Sequence, residues 1–306
     1  MTQQPPSNES PKEPPQKEDA PSHERPLERY RPYGLRVTDL RDQTWCEKQL
    51  EFTLEFGRKQ TKAMKEGEQR HQELHEEITE IIKVKPRSRE DLWGLHLYNS
   101  LAALLQLQRD GICRELPVFG PIGDTWLVGI IDELVMTEQN TISLTDTKTR
   151  KSPRLPTEAQ KRTTRFQMML YKGLFDRLSS GKTNEAIFFE RLSVSPETPF
   201  TEEFQAGFTP EQLPATNLKT LAPLVFSCFQ QAPPIEDPLL IRYEWQQDKS
   251  LLGVDAFPHS EAWLKIQINQ TMPFWLGKRP ARFVPHNEKW KCRFCPFRGQ
   301  CSFAQR

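Results

Sequence analysis

Residues 129–150 read GIIDELVMTEQNTISLTDTKTR, two apolar strands joined by a short polar turn. The acids inside them restrict the fold more than any other feature of the chain. Asp132 stands among Ile and Val in the first strand, and the second ends in Asp146-Thr147-Lys148. Side chains alternate along a strand, so Asp146 and Lys148 share a face, and the turn folds Asp132 back toward them. A carboxylate in an apolar run carries a desolvation cost unless something binds it. Two carboxylates converging beside an ammonium form a site for a hard divalent cation, Mg²⁺ or Mn²⁺. Such an ion lowers the pKa of a water and offsets charge developing on a phosphate, while the lysine orients the nucleophile or stabilises the oxyanion. Taken alone, an Asp-x-Lys near a strand end is also the pattern of a solvated salt bridge.

At 306 residues the chain is long enough to bury a core without covalent staples. A formal net charge of +1 means that any grip on nucleic acid must come from local patterning. No apolar run approaches the roughly 20 residues that span a bilayer, so a soluble protein with no membrane partner is expected. Residues 1–30 are rich in Pro, Glu, Lys, Gln and Ser and are expected to be disordered. Residues 31–306 are expected to form a single domain. The tail lacks a secretory apolar stretch and has no Arg before Arg25, which points to nucleus and cytosol rather than the mitochondrion. Six cysteines without a secretory signal read as reduced thiols or metal ligands.

The patterning predicts a helix from Asp39 to about Phe56 and a second from about Gln60 to Lys83, with Met64, His71, Leu74, Ile78 and Ile81 at helical spacing. An apolar segment covers 90–107, a short strand 116–120, and hairpin strands 125–136 and 141–148. A helix follows from about Thr157 to Leu178. EAIFFERLSV at 185–194 reads as a strand by its aromatic and β-branched content. A Pro-rich loop covers 195–215, then a helix 217–230, strands LLIRYEW and LLGVDAF, and a helix 259–270. The order of elements indicates a mixed α/β domain with helices around a central sheet.

Four short motifs follow one another on the appropriate elements: Gly67-x-x-x-His71 on a helix, Gly129-Ile-Ile-Asp132 on a strand, Asp146-Thr-Lys148 on the next strand and Gln167-x-x-x-Tyr171 on a helix. Together they resemble the RecB-type branch of the PD-(D/E)XK nucleases. The resemblance implies a restriction-endonuclease-like core in which Asp132 and Asp146 bind the metal, His71 lies at it or near it, and Lys148 is the catalytic lysine. Gln167 and Tyr171, one helical turn apart, would face the site or the scissile strand. The second acid is Asp where many relatives carry Glu. His71 and His75 also invite a zinc-hydrolase reading, but that pattern needs Glu directly after the first His, where Gln72 stands.

Cys292-x2-Cys295-x5-Cys301, set among aromatic residues, can wrap a metal centre if a fourth thiolate arrives, from Cys46, Cys113 or Cys228. Zinc and an iron–sulfur cluster both suit such a cage. An isolated upstream cysteine paired with a C-terminal C-x2-C-x5-C is similar to the iron–sulfur nucleases, and residues 35–303 resemble the exonuclease V family. That resemblance implies Cys46 as the fourth ligand and a structural [4Fe–4S] cluster tying the N- and C-terminal segments.

From Lys148 to Arg165 there are seven Lys or Arg residues and a single acid, Glu158. Arg150, Lys151, Arg154, Lys161, Arg162 and Arg165 read either as a solvated face or as a track for a nucleic-acid backbone. Trp93, Tyr98, Phe274 and Trp275 could stack bases or serve as core. The family resemblance implies an exonuclease acting on single-stranded DNA from a free 5′ end and releasing short oligonucleotides in DNA repair or genome maintenance, as a monomer, with a single-stranded-DNA-binding protein as partner. A noncatalytic nucleic-acid-binding scaffold and an RNA-directed nuclease are the alternatives, since the hairpin chemistry does not sense a 2′-hydroxyl.

Overall fold

The pairing of the 129–150 hairpin organises the sheet. In the computed structural model, which describes residues 25–79, 82 and 84–305, strand β1 (Leu35–Arg36) is followed by β2 (Ile112–Ile122), β3 (Thr125–Met136) and β4 (Ile142–Arg150). β5 (Leu239–Trp245) and β6 (Leu251–Phe257) complete a mixed sheet in the order β1-β3-β4-β5-β6, with β2 also on β3. β2 runs antiparallel to β3 along the whole of one edge, from Ile122↔Thr125 to Ile112↔Val135. On the other edge β3 and β4 pair only from Met136↔Ile142 to Glu133↔Thr145. Past that point the strands part. β4 continues beside β5, parallel, from Thr145↔Leu240 to Arg150↔Trp245, while β1 takes up the vacated edge of β3 at Leu35↔Leu127.

Helices flank the sheet. In chain order they are α1 (Pro26–Tyr30), α2 (Val37–Trp45), α3 (Glu47–Phe56), α4 (Lys62–Glu76), α5 (Arg89–Asp110), α6 (Glu158–Ser179), α7 (Glu185–Leu192), α8 (Glu202–Gln205), α9 (Leu218–Gln231), α10 (Glu261–Trp275) and α11 (Ser302–Gln305), with a 3₁₀ helix at His286–Phe294 before the last. α5 packs on β2 and α9, and α6 on α2 and β2. Between α5, β2, β3 and α7 lies an aromatic centre in which Trp93 meets Phe188 edge-on at 5.3 Å and Phe119 stacks on Trp126 at 6.0 Å. Trp93, Phe274 and Trp275 are all buried, which makes them core rather than base-stacking platforms.

α4 is held differently. Leu74 is its one fully buried residue, and its other fastenings are polar. Arg70 pairs with Glu244 at 2.9 Å, Glu73 with Lys249 at 2.8 Å, and the Ala63 carbonyl accepts from Gln246. Arg114 bridges Glu133 on β3 to Glu77 just past the helix end.

Several sequence expectations change. EAIFFERLSV is not a strand: residues 185–192 form α7. Asn184 caps it by accepting from the Ile187 N–H at 3.1 Å, and the buried Phe188 and Leu192 stand four apart on one face, a helical spacing that aromatic content masked. The expected helix 39–56 is two helices, broken at Cys46, whose φ of −166° and ψ of 114° are extended; its thiol accepts from the Gln49 N–H and caps α3. The second helix ends at Glu76 rather than running to Lys83, and Ile81 lies outside the described residues. The strand expected at 116–120 is the eleven-residue β2. Of the expected disordered tail, residues 1–24 lie outside the described residues, and Pro26–Tyr30 form the turn of α1.

Gly129 on β3 is required by a close approach. A Cβ there would stand 2.6 Å from Tyr171 Cε1 and 2.8 Å from Val37 Cγ2. The expected outcome of Gly129→Ala is a loss of about 1–3 kcal/mol in urea denaturation, because neither the ring nor the packed valine has room to retreat. Wild-type stability in that variant would contradict the packing of α6 on β3.

Candidate metal and nucleic-acid site

Asp132 and Asp146 are the first residues past the last β3–β4 pair, so they flank the opening of the fork. Lys148 turns its Nζ back to donate to Asp146 Oδ1 at 2.6 Å and lies 3.7 Å from Asp132 Oδ2. α4 delivers His71. Gly67, one turn earlier, sits so near β4 that a Cβ would stand 3.2 Å from Thr149 Oγ1. That approach brings His71 Nδ1 to 3.4 Å from Asp132 Oδ2 and 3.9 Å from Glu115 Oε1. Three groups from two strands and an imidazole therefore meet at one place.

Glu115 belongs to the same group and sequence reasoning missed it. β2 pairs Arg114 with Glu133 and Leu116 with Ile131, which sets Glu115 beside Asp132. Its φ of +55° is a conformation that non-glycine residues rarely adopt, and such outliers gather at functional sites. One ligand atom each from His71, Glu115 and Asp132 lies within 4.8 Å of the others. Asp132 Oδ2 and Asp146 Oδ2 are buried without a partner at hydrogen-bond geometry, Asp132 Oδ2 having only the longer approaches of His71 at 3.4 Å and Lys148 at 3.7 Å. Buried acceptors are nearly always satisfied, so two orphaned carboxylate oxygens beside a third acid fit a divalent cation with a preference for oxygen.

The charges settle into a definite pattern. Burial, then the negative charge of Asp146, pushes Asp132 well above the usual carboxylate range. Burial opposes ionisation of Asp146 too, but the Lys148 ammonium outweighs it and holds that carboxyl low. Burial likewise works against the Lys148 charge, and Asp146 with Asp132 outweigh it, keeping the ammonium above its ordinary pKa. Burial pushes Glu115 up to about 7 against the pull of Lys148. It lowers His71, with Lys148 acting in the same direction.

On the α6 side, Gln167 donates from Nε2 to the Tyr171 hydroxyl at 2.7 Å, and Tyr171 lies over Gly129. Burial, then the charge of Asp132, pushes the Tyr171 phenol far up, so it stays neutral. Gln167 Oε1 accepts from Arg41 Nη1 of α2 at 3.3 Å. These groups line a cleft of about 960 Å³ that also exposes Asp132, Lys148 and His71 and runs along α5 past His96 and Tyr98. Tyr98, the fourth aromatic candidate, lines the cleft while packing on Phe208 at 4.6 Å. His75 lines it as well, but the ligand atoms nearest His71 are carboxylate oxygens.

The basic run after β4 lies elsewhere. Lys161 and Arg165 pair with Asp255, Arg165 at 2.7 Å, and Arg162 pairs with Glu288 at 2.7 Å. Arg150 donates to the Arg154 carbonyl, while Lys151 and Arg154 are exposed. Among the described residues, these six basic side chains are off the wall of the cleft.

A second group forms where α2 breaks. Cys46, Cys292, Cys295 and Cys301 line one small pocket together with Phe52 and Phe303, and all four thiols are free. Cys113 is buried in the core and Cys228 lies on α9, so of the three candidates for a fourth ligand the fold brings Cys46 to the others. Burial pushes the Cys46 thiol to about 11, with Cys295 and Cys292 adding to the rise. The pocket's setting is built by contacts across the chain: Lys291 is buried, donates to the Trp45 carbonyl at 3.1 Å and lies over the Trp45 ring, while Arg279 pairs with Glu47 of α3. Lys48, Gln49 and Lys291 share the pocket with the four cysteines, whose thiols are the soft donors that zinc or an iron–sulfur centre takes.

The family model described as "Exonuclease V - a 5' deoxyribonuclease" matches residues 25–141, 136–212 and 206–304. A Danio rerio protein named "Exonuclease V" is 32% identical over 291 residues, which cover 91% of this chain and 72% of that protein. A solved structure described as "Crystal structure of SSO0001" aligns with a TM-score of 0.39 at 13% identity, covering 91% of this chain and 93% of that one.

A cation must displace the protons that Asp132 and Glu115 retain, so its binding strengthens as pH rises. The thermal shift produced by Mg²⁺ or Mn²⁺ is expected to be small near pH 5.5 and to grow through pH 7 to 8. In the metal-free protein the sign is opposite for Glu115. Its folded pKa of about 7 exceeds its unfolded value, so the folded state binds more protons between them and stability falls across that window. Glu115→Gln is therefore expected to gain Tm relative to wild type as pH rises from 5 to 8 without metal. A difference independent of pH would remove Glu115 from the site.

Proposed function

The chain belongs to the exonuclease V family, and on that premise we propose that it is a Mg²⁺- or Mn²⁺-dependent exonuclease that degrades single-stranded DNA from a 5′ end and releases short oligonucleotides. The observation that carries the reading is the pair of orphaned oxygens on Asp132 and Asp146, held at a strand fork beside Lys148. The divergence of β3 from β4 and the four ordered motifs support a RecB-type PD-(D/E)XK core, with residues 31–306 as a single nuclease domain.

Asp132, Asp146 and Glu115 would hold the ion, with His71 completing the set. Bound there, the ion supplies neutralisation of the phosphate charge and acidification of a water. Lys148, kept as an ammonium by its two acids, acts as a hydrogen-bond donor: it orients the attacking water and stabilises charge on the phosphate oxygens. Tyr171 and Gln167 fix the wall opposite. The four cysteines at 46, 292, 295 and 301 would hold a [4Fe–4S] cluster whose part is structural, tying the break between α2 and α3 to the C-terminal segment. In keeping with the family reading, the protein works as a monomer in nucleus and cytosol in DNA repair, with a single-stranded-DNA-binding protein as partner. Among the described residues no helix is long and apolar enough to cross a membrane.

End-labelled single-stranded DNA with Mg²⁺ tests the reaction, beside matched RNA and duplex substrates. Asp132→Ala and Lys148→Ala are each expected to slow cleavage by about 10²-fold or more; variants that cut as fast as wild type would end the proposal. Protein purified without oxygen is expected to be brown and to lose both colour and Tm in Cys292→Ser. A colourless protein with one zinc per chain would replace the cluster by zinc.

A further inference from the structure

We propose that Arg41 grips a non-bridging oxygen of the phosphodiester lying in the cleft; this rests on the nuclease reading above and gives α2 a direct part in binding the strand. Among the described residues, the Lys and Arg side chains that line the cleft are Arg41, Arg109, Arg114 and Lys148. Three of them have other places or tasks. Lys148, held by Asp146 and Asp132 at 2.6 and 3.7 Å, already has its part at the acids. Arg114 is occupied by Glu133, Glu77 and the Leu74 carbonyl. Arg109, exposed at the C-terminal end of α5, pairs with its neighbour Asp110 and is set apart by position: Asp110 is the acid that acts on it, not an acid of the site.

Arg41 stands apart. Its Nε and Nη2 both donate to a single oxygen, Asp42 Oδ1, at 2.9 and 2.8 Å, and its Nη1 donates to Gln167 Oε1. Asp42 is shared: its other oxygen is taken by Arg58. Two guanidiniums on one carboxylate leave an excess positive charge at this corner. A guanidinium carries five N–H groups, so one on Nη1 and one on Nη2 remain for a ligand. The ion pair joins adjacent residues of one helix and therefore fastens no two elements together. What it does is hold the planar fork still, with Gln167 locked in turn by the Tyr171 hydroxyl. The fork's field is felt at the acids, since Arg41 and Asp146 act on one another electrostatically. A fixed guanidinium with unused donors beside a cation-binding pair of acids is the geometry that receives a phosphate.

Two measurements test it. The first is equilibrium binding of a dye-labelled single-stranded oligonucleotide in EDTA, where no turnover occurs, followed across a salt titration. Arg41→Gln is expected to weaken binding about tenfold and to flatten the slope of log K against log salt by about 0.7, the share of one phosphate contact on a single strand. Arg41→Lys, which keeps the charge, is expected to retain the slope while losing part of the affinity, and far-UV circular dichroism with thermal melts identifies any variant that fails to fold. The second places one neutral methylphosphonate linkage at successive positions of the strand. At one position wild-type cleavage is expected to drop to the level of Arg41→Gln, and the variant to slow no further. An unchanged salt slope in folded Arg41→Gln, or additive losses at every position, overturns the assignment. Should wild type leave every strand uncut, the nuclease reading fails while the salt slope still decides what Arg41 does.

Discussion

Everything at the site depends on β3 and β4 ceasing to pair after Glu133 and Thr145. A continuous ladder would bring the next two residues, both aspartates, into direct cross-strand opposition inside a sheet, where like charges are destabilising. Because the strands separate, the two carboxylates instead flank a gap into which Lys148 and His71 reach. The separation is held from both sides: β5 takes β4 away, and β1 occupies the edge of β3 that β4 has left. A two-residue strand such as β1 contributes little packing of its own, but it ends directly in α2 and so sets where Arg41 begins its approach to the acids.

The site was legible wherever it follows from local pattern. Asp132, Asp146 and Lys148 could be read as a unit because strand alternation and one tight turn fix their relation, while His71, Gln167 and Tyr171 are joined to them by the order of the four motifs and the family that order resembles. The glycines of the motifs acquire a reason in three dimensions: Gly67 lets α4 touch β4, and Gly129 leaves room for Tyr171. Glu115 escaped because its place beside Asp132 comes from β2 lying on the far edge of β3 and from an uncommon backbone angle, neither of which has a local signature. The basic run looked free in sequence because its partners Asp255 and Glu288 stand some 90 residues or more away in the chain. α7 was misread as a strand because aromatic content was weighed above the four-residue spacing of Phe188 and Leu192.

The two chemical centres differ in kind and are joined by one short helix. α2 carries Arg41 on the cleft and ends in Trp45, against which the buried Lys291 rests, and then in Cys46. From Arg41 to Trp45 is little more than one turn, about 6 Å along the axis. The oxygen-rich centre suits a hard cation and the sulfur-rich one a thiolate-bound centre, so the chain separates them by donor type as well as by position.

The polar attachment of α4 sets this helix apart from the rest of the fold. Its hold on the sheet runs through Arg70, Glu73 and the bridge made by Arg114, with Leu74 as its one buried side chain. The exposed pair of Glu73 with Lys249 weakens as mobile ions screen it, whereas the shielded pairs Arg70–Glu244 and Arg114–Glu133 and the aromatic centre are screened little. The imidazole is thus carried on a helix whose hold is mostly polar, while the acids beneath it sit on strands held by a backbone ladder.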